Sequence, residues 1–277
     1  MVYHLYGEVF KQIRTQKKLP LSYFQKLGVE KGDISRFERG KTMMGLERID
    51  AMLQEMNVSL AEYELILNHF VSDYHEEFLE ELEKFDIQDN QNKLSQLYEE
   101  ARGSGYKWLA YAVKARQKKL SLSEKEEIKI FLEEVEVWGY FELSLVYFVL
   151  DNLKTETLIQ IMNIFEKKNR NYLGIFKYRR RIFQIAYRAI VVFVSRGEQK
   201  QAKLILKKTG NRNPETIDFY IESLRQMAVG IYKYRFVNSA EGEEEIQIIF
   251  ETFERLGYKE LRVFYEERTQ LILQNRL

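Results

Sequence analysis

The chain has 277 residues, 45% of them hydrophobic and 31% charged, with a formal net charge of +1. This composition supports a sizeable core and excludes a disordered chain, and the length suits two domains. The sequence has no cysteine, which excludes disulfides and cysteine-based metal sites or nucleophiles. The sequence shows no signal-peptide core and no run long enough to span a bilayer, so we expect a soluble cytoplasmic protein without membrane contact.

The small net charge hides an uneven distribution. Residues 1–48 contain ten Lys and Arg against five acids, whereas residues 73–100 contain ten acids against two lysines. Residues 167–196 contain nine basic residues and no acid. The chain therefore has a basic N-terminal segment, followed by an acidic segment and then by a second basic segment.

The first 68 residues predict about five short helices joined by tight turns. Val9, Phe10 and Ile13 share one helical face, and a second short helix has Pro20 in its first turn and Gly28 at its end. The remaining segments are "GDISRFERG", "GLERIDAMLQEMN" with an apolar stripe from Leu46 to Met56, and "SLAEYELILNHF", in which Ser59 and Glu62 form a capping-box pattern. Together they predict a small all-α domain.

Longer helices are predicted from residue 71 onward. Equivalent helix ends near Leu150, Val194 and Phe236 are spaced by 44 and 42 residues. This spacing favours stacked helix pairs in a tetratricopeptide-like α-solenoid, with an irregular helical bundle as the alternative. The predicted helices are 71–85, 91–102, 106–118, 123–136, 140–151, 154–168, 172–195, 198–208, 215–237, 243–256 and 258–274.

No pattern in the sequence indicates an enzyme, a cofactor or a metal site. His69 and His75 are six residues apart and so do not share a helix face, and the acids of "EEFLEELEKF" are typical of a solvated helix. The glycines of "GVEKGDISRFERGK" match neither a dinucleotide-binding nor a phosphate-binding loop.

The segment "LSYFQKLGVEKGDISRFERGK" instead has the layout of a helix-turn-helix. A bracing helix and a turn precede a helix whose outer face is polar, as reading base edges in the major groove requires. A domain used only for dimerisation is the alternative. The inner positions are Phe24, Leu27, Val29, Ile34 and Phe37. The predicted DNA-facing positions are Lys31, Gly32, Asp33, Ser35, Arg36 and Arg39.

"ISRFERGK", with its flanking segments, resembles the phage-repressor or XRE class of helix-turn-helix domain. Together with the helical remainder, including "EVWGYFELSLVYFVLDNL", the whole chain resembles the Rgg-like transcriptional regulators of Gram-positive bacteria. The resemblance implies a DNA-binding domain over residues 1–68 and a repeat-like domain over residues 69–277. It further implies a homodimer on a pseudo-palindromic double-stranded DNA operator, controlled by a short peptide pheromone bound in the helical groove.

The same resemblance implies a structural pair between Arg14 and Glu38. This sequence departs from the family pattern at two places. Phe24-Gln25 replaces the usual small pair of the second helix, so the packing there must differ. Gly32 stands where a side chain often contacts DNA, which puts one base contact in doubt.

The basic segment "KKNRNYLGIFKYRRRIFQIAYRAIVVFVSRG" mixes aromatic and basic residues on one face of a long helix, which suits the binding of a peptide. Nucleic-acid binding, or tyrosines that only pack between helices, are alternatives. We expect Asn152 to hold a peptide backbone, because an amide both donates and accepts. An acidic residue or C-terminal carboxylate of the ligand would meet Arg179 or a neighbour. Further predicted lining residues are Trp108, Tyr111, Tyr147, Arg179, Tyr187 and Tyr220.

Two other functions stay open from the sequence: a regulator that senses a small apolar metabolite, and a protein-interaction scaffold. The last predicted helix, "YKELRVFYEERTQLILQNRL", supports a dimer because its apolar residues need a partner surface. These residues are Leu261, Phe264, Tyr265, Leu271 and Leu273.

Overall fold

The computed structural model describes residues 3–68, 73–169, 172–210 and 218–273, and every regular element within these ranges is helical. The predicted all-α fold class is therefore confirmed. The chain divides into an N-terminal unit, Met1–Glu77, and a C-terminal unit, Phe78–Leu277. The domain boundary predicted after residue 68 stays a prediction, and His69 lies outside the described residues.

All five segments predicted in the N-terminal unit are helical, but the second is a 3₁₀ helix. Its end is the predicted one, since Gly28 has a φ of 71° and closes it in the left-handed region. Pro20 stands just before the helix, at its N-cap, rather than in its first turn. The elements are α1 (Tyr3–Gln16), the first 3₁₀ helix (Leu21–Leu27), α2 (Lys31–Glu38), α3 (Leu46–Glu55) and α4 (Leu60–Leu67).

An aromatic cluster forms the core of the N-terminal unit. The ring of Phe10 on α1 lies 5.9 Å from that of Phe24 and 5.6 Å from that of Phe37, between ring centroids. The predicted capping box is formed, with Ser59 and Glu62 exchanging hydrogen bonds of 2.8 and 3.1 Å. The expected apolar stripe of α3 begins later than predicted, because Leu46 opens that helix and is 66% exposed.

The C-terminal unit follows the predicted helices closely. One difference is at residues 172–175, which form a turn containing Gly174 before the long basic helix. Another is at Asp218, which caps its helix by accepting a hydrogen bond from the backbone N–H of Ile221. The predicted start of that helix, residues 215–217, lies outside the described residues. The helices are α5 (Tyr74–Ile87), α6 (Gln91–Gly103), α7 (Lys107–Gln117), α8 (Leu122–Glu134), α9 (Tyr140–Val149), the second 3₁₀ helix (Leu150–Asn152), α10 (Thr155–Asn169), α11 (Phe176–Ser195), α12 (Gln199–Gly210), α13 (Phe219–Phe236), α14 (Ser239–Arg255) and α15 (Lys259–Leu273).

Stacked helix pairs build this unit, as the recurring helix ends predict. Helices α7, α9, α11 and α13 pack against one another in that order, and α6, α12 and α14 pack on α7, α11 and α13. The closest pair is α13 with α14, where a Cβ on Gly242 would lie only 2.5 Å from the carbonyl oxygen of Gly230. This layout brings the ends of α7, α9 and α11 to one cavity.

Candidate functional site

Helix α2 presents polar groups outward and apolar groups inward. Ile34 and Phe37 are fully buried in the core of the N-terminal unit. Lys31, Arg36 and Arg39 are exposed. Of the other predicted DNA-facing positions, Gly32 is exposed and Asp33 and Ser35 are half-buried. The six positions therefore keep access to solvent, while the alternating apolar ones do not.

Local contacts order the basic side chains of α2. Arg36 forms an ion pair with Asp33 one helical turn earlier. Arg39 donates from Nε to the carbonyl oxygen of Ser35 at 3.0 Å. Exposed ion pairs of this kind are weak, so an external phosphate or base edge can compete for either guanidinium.

A bidentate ion pair holds α2 against α1. Arg14 donates from Nε and Nη2 to the two carboxylate oxygens of Glu38, at 2.6 and 2.9 Å, and from Nη1 to the carbonyl oxygen of Leu19 at 2.7 Å. The pair expected from the resemblance is thus present, and both side chains are nearly buried. Gly7 adds a close backbone approach, because a Cβ there would lie 1.9 Å from the carbonyl oxygen of Phe37.

The C-terminal unit contains a cavity of about 690 Å³, a volume typical of a ligand site. One wall is apolar and comes mainly from α13, with Leu224, Met227 and Ile231. Val191 of α11 and Leu271 of α15 extend it. This wall offers a surface for branched or aromatic ligand side chains.

The rest of the cavity is strongly basic. Eight Lys and Arg residues line it against two acids, Asp151 and Glu267. The basic lining residues are Arg116, Lys118, Lys119, Lys125, Lys154, Arg188, Arg196 and Arg268. The arrangement favours a ligand that carries at least one carboxylate.

Asp151 organises the basic part of the cavity. Arg188 donates from Nε to its Oδ1 at 3.1 Å, and Arg116 donates from Nη1 to its Oδ2 at 2.9 Å. Burial alone would raise the pKa of Asp151, but the two guanidiniums hold that pKa well below its ordinary range. Arg196 donates from Nη2 to the backbone carbonyl of Asp151 at 2.9 Å, and burial lowers the pKa of Arg196.

Three of the predicted peptide-binding residues line this cavity: Tyr147, Asn152 and Tyr187. The Asn152 amide already accepts from the backbone N–H of Leu120 at 2.8 Å and donates to the carbonyl of Ala115 at 2.9 Å. An amide has two donor hydrogens and two acceptor lone pairs, so each end keeps capacity for a ligand. The role predicted for Asn152 stays a prediction.

The other four predicted residues do not line this cavity. Trp108 stacks on Phe131 with ring centroids 4.4 Å apart, and the Tyr111 hydroxyl donates to Glu127 at 3.2 Å, so both face α8. Arg179 donates to the carbonyl of Leu173 at 3.4 Å. The Tyr220 hydroxyl lies 2.8 Å from that of Tyr265. Their binding roles stay predictions without support from this geometry.

Sequence reasoning missed most of the cavity lining, including its lysines, Arg196 and the ion-pair network of Arg116, Asp151, Arg188 and Arg268. The acid-free segment 167–196 signalled that cations were concentrated there, and it contains Arg188. Their carboxylate partners lie tens of residues away, so their pairing depends on the fold. Within the described ranges no cluster of His, Asp and Glu could hold a metal ion, and no helix is long and apolar enough to cross a membrane.

Several solved structures are similar to this chain along nearly its whole length. The SHP pheromone receptor Rgg2 of Streptococcus dysgalactiae gives a TM-score of 0.78 at 19% identity, with coverage of 96% of this chain and 98% of that one. A proposed transcriptional regulator from Listeria monocytogenes EGD-e gives a TM-score of 0.79 at 16% identity, with 98% of both chains covered. The PrgX/cCF10 complex gives a TM-score of 0.71 at 12% identity, covering 98% of this chain and 93% of that one.

At these identities the structural likeness shows the fold. The family is shown by the sequence itself, since residues 68–267 match the C-terminal domain of the HTH-type transcriptional regulator Rgg. The match spans the cavity-lining residues up to Glu267, and Arg268, Thr269 and Leu271 of α15 lie just beyond it. The chain belongs to the Rgg family of helix-turn-helix transcriptional regulators.

Proposed function

We propose that this regulator acts in the cytoplasm as a homodimer, which binds double-stranded DNA through α2 and is controlled by a short peptide held in the cavity. The observation that carries the proposal is the cavity in the Rgg C-terminal domain, with an apolar wall facing a basic end. A peptide with apolar side chains and a carboxylate matches both surfaces. Similar structures include one described as a pheromone receptor and one of a pheromone/receptor complex.

The DNA-binding part rests on α2. Its exposed Arg36 and Arg39 are the side-chain type that most often reads guanine, and Lys31 at the start of the helix suits a phosphate. One helix-turn-helix buries too little DNA for high specificity, so a dimer on two half-sites about one helical turn apart is expected.

Selection of a duplex from random DNA, followed by gel-shift titration at several salt concentrations, tests this part. Arg36→Ala should lower specific affinity about tenfold or more and leave non-specific affinity nearly unchanged. Arg48→Ala, an exposed arginine on α3, is the matched control and should change specific affinity less. Equal loss in both variants, or binding without sequence preference, would contradict the proposal.

The peptide part rests on the chemistry of the cavity. An apolar metabolite would gain nothing from eight basic residues, whereas a peptide carboxylate forms charge-assisted hydrogen bonds with them. Among them Lys119, Lys125 and Lys154 have no carboxylate within ion-pair distance in the described residues. These three and Arg196 are the expected carboxylate contacts.

A thermal-shift screen of short peptides encoded beside the gene, compared with apolar metabolites, tests this part, because a ligand of the folded state raises the melting temperature. Calorimetry should then show weaker binding when each carboxylate of a bound peptide is replaced by an amide. Lys154→Gln should weaken binding and Lys203→Gln, on the exposed face of α12, should not. Unchanged affinity for the amidated peptide would remove the carboxylate from the proposal.

Helix α15 offers only part of the dimer surface predicted from its sequence, where Leu271 is 42% exposed. Phe264 is 4% exposed and Tyr265 contacts Tyr220, so neither of these two needs a partner as predicted. The side chain of Leu273 lies outside the described residues. Ile248 and Val263, at 52% and 51% exposed, remain open to a second copy. Equilibrium sedimentation at micromolar concentration that yields a monomer would contradict the dimer.

A further inference from the structure

A continuous network of ion pairs runs from the cavity to α5. Asp86 of α5 accepts a hydrogen bond from Nε of Arg116 on α7 at 3.0 Å and another from Nη2 of Arg268 on α15 at 3.0 Å. Asp151, at the cavity, accepts from Arg116 and from Arg188 of α11. Arg116 is therefore shared between two carboxylates, one of which does not line the cavity.

The network has too few carboxylates for its cations. Among the residues that the structure describes, Arg116, Arg188 and Arg268 form ion pairs only with Asp86 and Asp151, and the side chain of Arg116 is 5% exposed. Burial lowers the pKa of Arg268 despite the nearby Asp86, as expected for a cation that is incompletely compensated. In a buried cluster of this kind, an anion gained or lost at one position changes how the guanidiniums share the remaining carboxylates.

The network ends at α5, the helix in which the boundary between the two units falls. Its first turn, Tyr74–Glu77, belongs to the N-terminal unit, and the rest belongs to the C-terminal unit. Asp86 lies in its last turn and is 5% exposed. A change in the hydrogen bonds to Asp86 therefore affects the helix that connects the two units along the chain.

We propose that Arg116 couples the cavity to α5. A ligand carboxylate that withdraws Arg188 from Asp151 leaves Arg116 as the remaining guanidinium of Asp151. Arg116 then moves toward Asp151 and away from Asp86, and the last turn of α5 is held less firmly. This coupling rests on the proposed peptide site for its biological trigger, but the coupling itself exists in the ligand-free protein and can be tested there.

Hydrogen exchange of the ligand-free full chain tests the coupling. Arg188→Gln removes a guanidinium that contacts Asp151 and has no hydrogen bond to α5 in the structure. It mimics the withdrawal of Arg188 by a ligand. The amides in the last turn of α5 should exchange about three- to tenfold faster in this variant. If Arg188→Gln does not fold, Arg188→Lys loses only the bidentate contact and should give a smaller change in the same direction.

Three controls separate the coupling from a general loosening. Lys154→Gln removes a cavity charge outside the network and should leave α5 unchanged. In an Asp86→Asn background, Arg188→Gln should have no further effect on α5. In a Glu83→Gln background, Arg188→Gln should keep its effect on α5. Glu83 also lies on α5, but its partners are Arg181 and Gln184 of α11, and Arg181 does not line the cavity.

Unchanged exchange of α5 in folded Arg188→Gln would overturn the coupling, even if a peptide binds. Equal acceleration in Lys154→Gln would also overturn it, since a general change in charge would then explain the result. A screen that finds no peptide, with the exchange result as expected, would reject the proposed function and leave the coupling intact.

Discussion

Both units of this protein contain clustered basic side chains, but they hold them in opposite ways. In the N-terminal unit the one deeply placed arginine, Arg14, has a carboxylate to itself, and the cations of α2 stand in solvent. In the C-terminal unit the arginines around Asp151 are buried and share carboxylates. A one-to-one pair fixes a helix in place, whereas a shared cluster can redistribute its contacts when an anion arrives.

This contrast matches the roles proposed for the two units. Base edges are read by a helix of fixed orientation, so the role proposed for α2 requires a rigid attachment and free outer cations. A ligand site that controls another part of the chain needs contacts with more than one arrangement. The one-to-one pair and the shared cluster should therefore respond differently to substitution.

The largest effect is expected where a pair has no substitute. Glu38→Ala leaves Arg14 nearly buried without a carboxylate, and should lower the free energy of unfolding of the N-terminal unit by about 4 kcal/mol. Urea unfolding followed by circular dichroism measures this. Glu64→Ala, on the exposed side of α4, should change it by less than about 0.5 kcal/mol. A small effect of Glu38→Ala would mean that Arg14 finds another acceptor, as in the shared cluster.

A second test addresses the close approach of α1 and α2. Gly7→Ala places a methyl group against the carbonyl of Phe37, which must move, and should destabilise the unit by about 3 kcal/mol. Specific DNA affinity should fall further than the loss of folded protein explains, because α2 is displaced. Gly103→Ala, where a Cβ meets nothing within 4 Å, is the control. Normal DNA affinity in folded Gly7→Ala would show that α2 tolerates displacement.

The shared cluster should respond more weakly than the isolated pair, although its carboxylate has two arginine partners. In Asp151→Asn, Arg116 keeps Asp86, and Arg188 loses its carboxylate but can still donate to the new amide oxygen, so the loss at neutral pH should be about 2 kcal/mol. A loss as large as that of Glu38→Ala would contradict the comparison.

The same variant has a pH signature. The pKa of folded Asp151 lies below its ordinary value, so its stabilisation is present above about pH 4 and is lost as the pH falls toward the folded pKa. Urea unfolding at pH 7 and pH 3 should therefore show a smaller loss of stability on acidification in Asp151→Asn than in the unaltered protein. Equal losses would show that the arginines do not hold the Asp151 carboxylate.

How much the sequence could predict follows the same division. Helix α2, the capping box at Ser59 and the Arg14–Glu38 pair depend on local pattern or on a family motif, and the structure contains all three. The cavity was predicted only in part, because an aromatic or basic residue on a helix does not show which face meets a neighbouring helix. Trp108 and Tyr220 have side chains whose chemistry suits a ligand, yet they pack against other rings and hydroxyls of the chain.

The smallest effect is expected at Gly32, and it asks whether the outer face of α2 is as free as its exposure suggests. A Cβ there meets only Nη1 of Arg36, at 3.6 Å, so Gly32→Ala should stabilise α2 by about 0.5–1 kcal/mol, because glycine loses more conformational freedom in a helix. Affinity for non-specific DNA should not change, since no charge is altered. If this part of α2 enters the major groove, the added methyl group should shift the preferred base at one operator position toward thymine, whose own methyl lies there. Selection from random duplexes with both proteins measures this directly, and an unchanged preference would place Gly32 away from the bases while leaving the stabilisation of the helix in place.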